Sequence, residues 1–370
     1  MLEKFSKGQF EKLKFVEPFR ADAFSDFERL GLPTPKDEAW KYTDLSRFDL
    51  NACAPLKKMN LRIQEENVDR EEEDVSFERP KDPFEAFSMA FGTLHRFSVE
   101  KNKKARIWME IRPEASGGVL NHVRVGLGAH LEYFSHGQKG TNALVSEKTV
   151  FELSEGARAD AYRVQRFERS ARSFSIQEFR IGKNAAVKFF SADAGSFLSR
   201  NVVRQHFDGD GAFSTNNKHV YFGGYRQHVD LTTEALHHGK NTQSNILVKG
   251  VLGQDASSVY RGIIRIDKQA SKTNSYLQDR VVHLGKNAIS NSIPSLYIDN
   301  NDVVASHGAT VSNVSPDALF YLQSRGLSKP LAQRLIVDGF LEEALLDLPD
   351  EKLKSVLHRD WEEKLDLYGR

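Results

Sequence analysis

From about Ala105 to Val314 the chain runs in short apolar stretches such as ARIWMEI, VKFFSAD, VYRGIIRID and SLYID. Turns rich in Gly, Asn and Asp separate them, which is the pattern of strands. The turns recur in related form at Leu127–Ala129, Glu155–Ala157, Lys183–Ala185 and Asp210–Ala212, with alanines spaced 28, 28 and 27 residues apart. Ala143 and Ala171 fall on the half-period, and Gln254–Ala256 and Lys286–Ala288 repeat the turn more loosely. A fixed period of strands and tight turns predicts stacked coils, because one coil cannot bury its own inward face while neighbours share a continuous core. The small alanine lets each corner approach the coil below. A β-sandwich, with strands every 8–12 residues or so, fits this recurrence less well.

Both ends read as helix. Arg20–Leu30 places Phe24, Phe27 and Leu30 on one face before Gly31. Asp82-Pro83 opens a second helix with Phe84, Phe87, Phe91 and Leu94 as its stripe. Between them the acidic run from Glu65 to Glu85 reads as a solvated connector, since like charges repel. Ser315-Pro316 starts a helix that ends at Gly326, and Ser328 begins another presenting Leu331, Leu335, Phe340 and Leu341. Pro349-Asp350 opens the last, with Leu353, Leu357, Trp361 and Leu365. The predicted organisation is a helical region with an acidic connector over 1–104, a β-solenoid over 105–314 and a helical region over 315–370. The last region is expected to cover the open end of the solenoid in part, or to serve as an interaction module.

The 370 residues are 39% hydrophobic and 28% charged, with a net charge of +1. That balance supports a substantial core and argues against nucleic acid as a partner, which needs a surplus of Lys and Arg. No apolar run approaches the ~20 residues of a membrane span, and the first fifteen residues lack the apolar stretch of a secretory signal. Cys53 is the single cysteine. It excludes an intramolecular disulfide and any all-cysteine zinc or iron–sulfur site within one chain, and a reducing cytoplasm is the expected location.

Gly-Lys-Asn occurs at Gly182–Asn184, Gly239–Asn241 and Gly285–Asn287. It lacks the earlier glycine and the adjacent Ser/Thr of a phosphate-binding loop, so it reads as turn chemistry and not as nucleotide binding. His206, His219, His228, His237 and His238 crowd a short stretch that stacked coils could bring together. Two readings stand for them: polar groups satisfying turns, or a metal or ligand site. His307, in Asp302-Val-Val-Ala-Ser-His-Gly-Ala-Thr310, is open in the same way. It is either a hydrogen-bonded histidine at a strand–loop junction or a ligand through one ring nitrogen, oriented through the other.

The stretch DNNDVVASHGATVSNVSPDALFYLQSRGLSKPLAQRLIVDGFLEE, with HHGKNTQSNILVKGVLGQDASSVYRGIIRI and LPTPKDEAWKYTDL, resembles the SufB/SufD family of iron–sulfur cluster assembly proteins, on the SufD-like branch. The resemblance implies a mainly β fold, a right-handed parallel β-helix flanked by N- and C-terminal helical regions. It further implies a non-catalytic subunit that dimerises through the end of the β-helix, with a SufB-type paralogue or with itself. The C-terminal helices would bind a SufC-type ABC ATPase. By motif, His307 matches a proposed iron or nascent-cluster contact at that interface. Ala305 stands where many members carry a cysteine, so any thiolate would come from another subunit, and a transient iron or cluster would rest on a shared site with none held stably by this chain alone. Phe320, Tyr321, Arg325 and Gly326 fall in the implied ATPase-docking segment, Arg325 serving equally well as a structural ion-pair partner. Trp40 and Tyr42 belong to the N-terminal signature and are expected to pack. Two alternatives remain at this point. One is a homodimeric scaffold without thiolates. The other is a carbohydrate-active β-helix enzyme, for which no compact carboxylate pair stands out.

Overall fold

The computed structural model describes residues 5–13, 17–59, 61–71, 75 and 77–366. The recurrence becomes a parallel β-solenoid of about eight turns. Each coil gives one strand to each of two nine-stranded sheets. In the first sheet His130–Lys139 lies in register on Arg158–Phe167, and that strand on Ala186–Asp193. The offset between coils is 28 residues from His130 to Arg158 and 31 from Gln243 to Asn274, which is the loosening seen in the later turns.

The corners explain the motif. Gly128, Gly156, Asn184, Gly211 and Asn241 sit in the left-handed region, with φ between 53° and 71°. That conformation turns each amide along the solenoid axis. Gly128 N–H donates to Glu155 O at 3.0 Å, Gly156 to Lys183 O at 2.9 Å and Gly211 to Lys240 O at 2.8 Å. The following alanines, Ala129, Ala157, Ala185 and Ala212, are fully buried. In the first two Gly-Lys-Asn segments Asn184 and Asn241 take the positive φ, while the glycine is required by proximity: a Cβ on Gly182 would lie 2.5 Å from Leu153 O. The motif is a corner of the coil.

Helices α1 (Lys7–Lys12), α2 (Phe19–Leu30) and α3 (Pro83–Phe91) precede and flank the coils. Asp82 caps α3, its carboxylate accepting the Phe84 and Glu85 N–H groups at 2.9 Å. Phe24, Phe27, Phe87, Phe91 and Trp40 pack on Leu120, Leu144, Phe174 and Leu198, which line the outer face of the second sheet. The expected stripe overshoots by one position. The helix stops at Phe91: Gly92 is in extended conformation, where a Cβ would collide with Ser88 O, and Leu94 lies in the first parallel strand, Gly92–Val99. The coils therefore begin ahead of the change in texture at Ala105.

The acidic run is not a free connector. Leu61–Glu66 pairs antiparallel with Lys104–Ile111, and Asp69–Arg70 with Gly92–Val99, so charged strands close the first edge of each sheet. Beyond them, Glu71 pairs with Arg124, Glu78 with Arg180, and Glu85 with Lys148 and Arg204. Basic side chains on the second sheet offset the self-repulsion that composition alone suggests. Residues 72–74 and 76 of the run lie outside the described residues.

Helices α4 (Pro316–Ser324), α5 (Lys329–Leu345) and α6 (Glu351–Asp366) follow the last strand. Val337, Leu341, Leu345, Leu353, Leu357 and Trp361 pack on Phe134, Tyr162, Phe190, Val220 and Phe222, the outer face of the first sheet. Lys364 adds polar anchors to Ala194 O and Phe222 O at 2.6 and 2.5 Å. The helices thus cover a flank. The expectation that they cap the open end is corrected, since the apolar positions of α5 and α6 match the side of the solenoid.

Candidate interface site at the open end of the solenoid

The last two strands, Ile289–Ile298 and Val304–Asn313, are each terminal in their sheet and pair on one side only. Among the described residues nothing pairs with their outer edges, and Ile289, Tyr297, Ile298, Val304 and Val311 are exposed. Unpaired backbone beside exposed apolar side chains is a template for another chain.

His307 lies on the second of these strands. In a parallel ladder, paired residues point to the same side. His307, Ala309 and Val311 pair with Leu277, Asp279 and Val281, all three buried in the core. His307 is thus an inward-facing position with no coil above it, exposed at the mouth of the core. Its imidazole makes no hydrogen bond or ion pair with the described residues. Ala305 pairs with buried Ser275 and offers no ligand. Cys53 is buried in the N-terminal aromatic cluster, so no thiolate reaches the mouth.

Asp279 was not singled out from sequence. It is fully buried one coil below, and neither carboxylate oxygen has a hydrogen-bond partner. The Ser292 hydroxyl on the facing strand is also unpaired. Burial pushes the Asp279 carboxyl up to about 6. The signal available in the sequence was an acid between Leu277 and Val281 in the alternation of one strand, but its inward direction depends on register.

In α4 no residue is buried. Phe320 is 74% exposed and Tyr321 58%. The Arg325 guanidinium lies 5.4 Å from the centre of the Tyr321 ring and forms no ion pair among the described residues. Gly326, at φ 90°, ends the helix. Leu331 and Leu335 of α5 are exposed beside them, while Leu341 is buried and Phe340 partly so. Together these residues make an aromatic and aliphatic surface with one cation. Trp40 packs against Phe84 and under Arg200, and Tyr42 is exposed.

The five clustered histidines separate. His219 hydrogen-bonds Ser191 in the core; His237 bonds Thr242 and Ser244; His228 bridges Thr43 and Ser257. Burial lowers their pKa values to about 3 for His219 and His237 and about 4 for His228. His228 and His237 are satisfied structural groups, whereas His219 is bonded through Nδ1 alone and its buried Nε2 has no hydrogen-bond partner. His206 and His238 face outward together, with ring centres 5.9 Å apart.

A family model described as the SufBD core domain of SUF-system FeS cluster assembly matches residues 116–340, and one for the SufBD N-terminal region matches 8–70. The chain is 39% identical over 163 residues to the iron–sulfur cluster assembly protein SufD of Bacillus subtilis, covering 44% of this chain and 37% of that protein. It is 30% identical over 177 residues to a SufBD family protein of Synechocystis, covering 46% and 35%. SufB of Bacillus subtilis is 28% identical over 211 residues, covering 57% and 45%. The matches span less than half the length of these curated relatives. With the core model extending over most of the solenoid and the N-terminal model over the helical strap before it, the chain belongs to the SufB/SufD family of iron–sulfur cluster assembly proteins and is SufD-like.

Proposed function

We propose that the chain is a SufD-like, non-catalytic subunit of an iron–sulfur cluster assembly complex in the cytoplasm. The two bare strands at the end of the solenoid carry this reading. They offer the seam for a second β-solenoid, a SufB-type paralogue or another copy, and they set His307 at that seam. A single imidazole is an incomplete site for iron or a nascent cluster, which are cargo here; thiolates are the stronger ligands and would come from the partner. Asp279 supplies a carboxylate close to the same mouth. The exposed face of α4 with Leu331 and Leu335 suits a SufC-type ABC ATPase, and the absence of a phosphate-binding loop from the sequence agrees with nucleotide chemistry lodged in a partner.

The test is a pull-down of the ATPase by the purified chain, alone and with the SufB-type paralogue. The expected result is capture that falls at least tenfold for Phe320→Ala combined with Tyr321→Ala, since exposed aromatic anchors carry interface energy. No capture under either condition contradicts the proposal.

A further inference from the structure

Beyond the mouth of the solenoid, the outer corner of the second sheet gathers groups that the assembly role does not use. The strands Leu198–Phe207 and His228–His237 lie in register, and so does Ser257–Ile266 above them. The residues just past their ends stack in the same way. The amides of Asp208, His238 and Asp267 donate to Ile181, Phe207 and His237 carbonyls at 3.1, 3.1 and 3.0 Å. The coil repeat thus stacks an aspartate, a histidine and an aspartate along one corner, a strand spacing apart. His206, two residues before Asp208, shares its outward side.

We propose that His206, Asp208 and His238 form a binding site for a divalent first-row transition-metal ion. One ligand atom from each lies within 4.8 Å of the other two. Bonds of about 2.1 Å at tetrahedral angles need ligand atoms roughly 3.4 Å apart. Asp208 and His238 are only partly buried, so their side chains are free to close that difference.

Two further observations point to a ligand. His206 is nine-tenths buried, and its Nε2 has no hydrogen-bond partner; the nearest carboxylate oxygen, Glu178 Oε1, is 3.7 Å away. Among the described residues His95, His122, His136 and His219 also leave a buried ring nitrogen unpaired, but of these five only His206 lies within ligand distance of a second histidine and an aspartate. His238 Nδ1–H donates to Asp267 Oδ2 at 2.7 Å, and this fixes the tautomer that leaves Nε2 as an acceptor, 4.0 Å from Asp208 Oδ1. A carboxylate behind a histidine that presents its other nitrogen is the usual outer support of a metal ligand.

The surrounding charge is mixed: Arg180, Lys81 and Arg204 face His206, but Arg204 is paired with Glu85 and Glu234. Arg180, whose Nη1 lies 4.0 Å from Asp208, is already engaged by Glu78 and Glu178. Asp208 also lines a groove of about 830 Å³ that runs along the second sheet, which gives the corner a route to solvent. Two imidazoles and one carboxylate suit iron(II), cobalt(II) or zinc(II) better than calcium or magnesium, which prefer all-oxygen shells.

The experiment is a Co²⁺ titration of the tag-free, chelator-stripped full chain, read by visible absorption and displaced by Zn²⁺. One equivalent should bind. His238→Ala and His206→Ala should each weaken binding more than tenfold, and Asp267→Asn should weaken it about tenfold, the lower end for an outer-support residue. His307→Ala should leave it unchanged, which keeps this site separate from the interface at the mouth. Thermal melting of each metal-free variant checks folding; should buried His206→Ala not fold, the half-exposed His238→Ala decides. No bound cobalt in the wild type, or unaltered binding in His238→Ala, overturns the proposal.

Discussion

Glu85 shows how single residues hold the N-terminal region to the solenoid. Its carboxylate is buried with Lys148 at 2.5 Å and Arg204 at 3.3 Å, and it also accepts the Lys81 N–H at 2.9 Å. Burial alone would raise its pKa; the two cations outweigh that and lower it from 4.5 to about 2. A depressed carboxyl stabilises the fold fully above its unfolded value and loses that contribution as pH falls from about 4.5 towards 2. Glu85→Gln is therefore expected to cost about 3 kcal/mol at pH 7, from the size of the shift. The gap to wild type should narrow in acid, as read by thermal midpoints at pH 7 and near pH 3. A constant gap would show that packing, not charge, is what the substitution removes. The spacing of acids from Glu65 to Glu85 is visible in the sequence, but their basic partners are 50 to 120 residues away. Only the coil offset brings Arg124, Lys148, Arg180 and Arg204 under the run.

At the scale of elements, the corners were the most legible feature. A solenoid repeats one steric problem at each turn, and the same small residue answers it, so Ala129, Ala157, Ala185 and Ala212 advertise the period directly. Ala157→Leu should overpack its corner and cost about 1–3 kcal/mol, seen as a lowered melting temperature with the far-ultraviolet circular dichroism of the folded state retained. An unchanged melting temperature would mean the corner has room to spare. Helix caps read equally well: Asp82, Ser315 and Asp350 each accept amides in the first turn. What periodicity does not reveal is where a helix docks. Of the expected stripe, Leu341 is buried and Phe340 partly so, while Leu331 and Leu335 are exposed and α5 buries Ala332, Val337 and Leu345 against the flank of the sheet.

Across the whole molecule, the two ends of the solenoid are treated differently. Charged antiparallel strands close the beginning, and the helical regions cover both flanks, the N-terminal one on the second sheet and the C-terminal one on the first. The final strands instead present exposed apolar side chains at their unpaired edges, with His307 on one of them. The motif around His307 marked that place in the sequence. Asp279 and Asp208 were beyond it, and so was the choice of His206 and His238 from the five clustered histidines, since each depends on which face a residue occupies and which coil lies next to it. The account turns on this open end being the seam with a second subunit. Hydrogen–deuterium exchange on the chain, free and bound to a SufB-type paralogue, tests it most directly. The account predicts that amides of Val304–Asn313 and Ile289–Ile298 exchange quickly in the free chain and become strongly protected in the complex. A complex that forms while both strands exchange as before would contradict it.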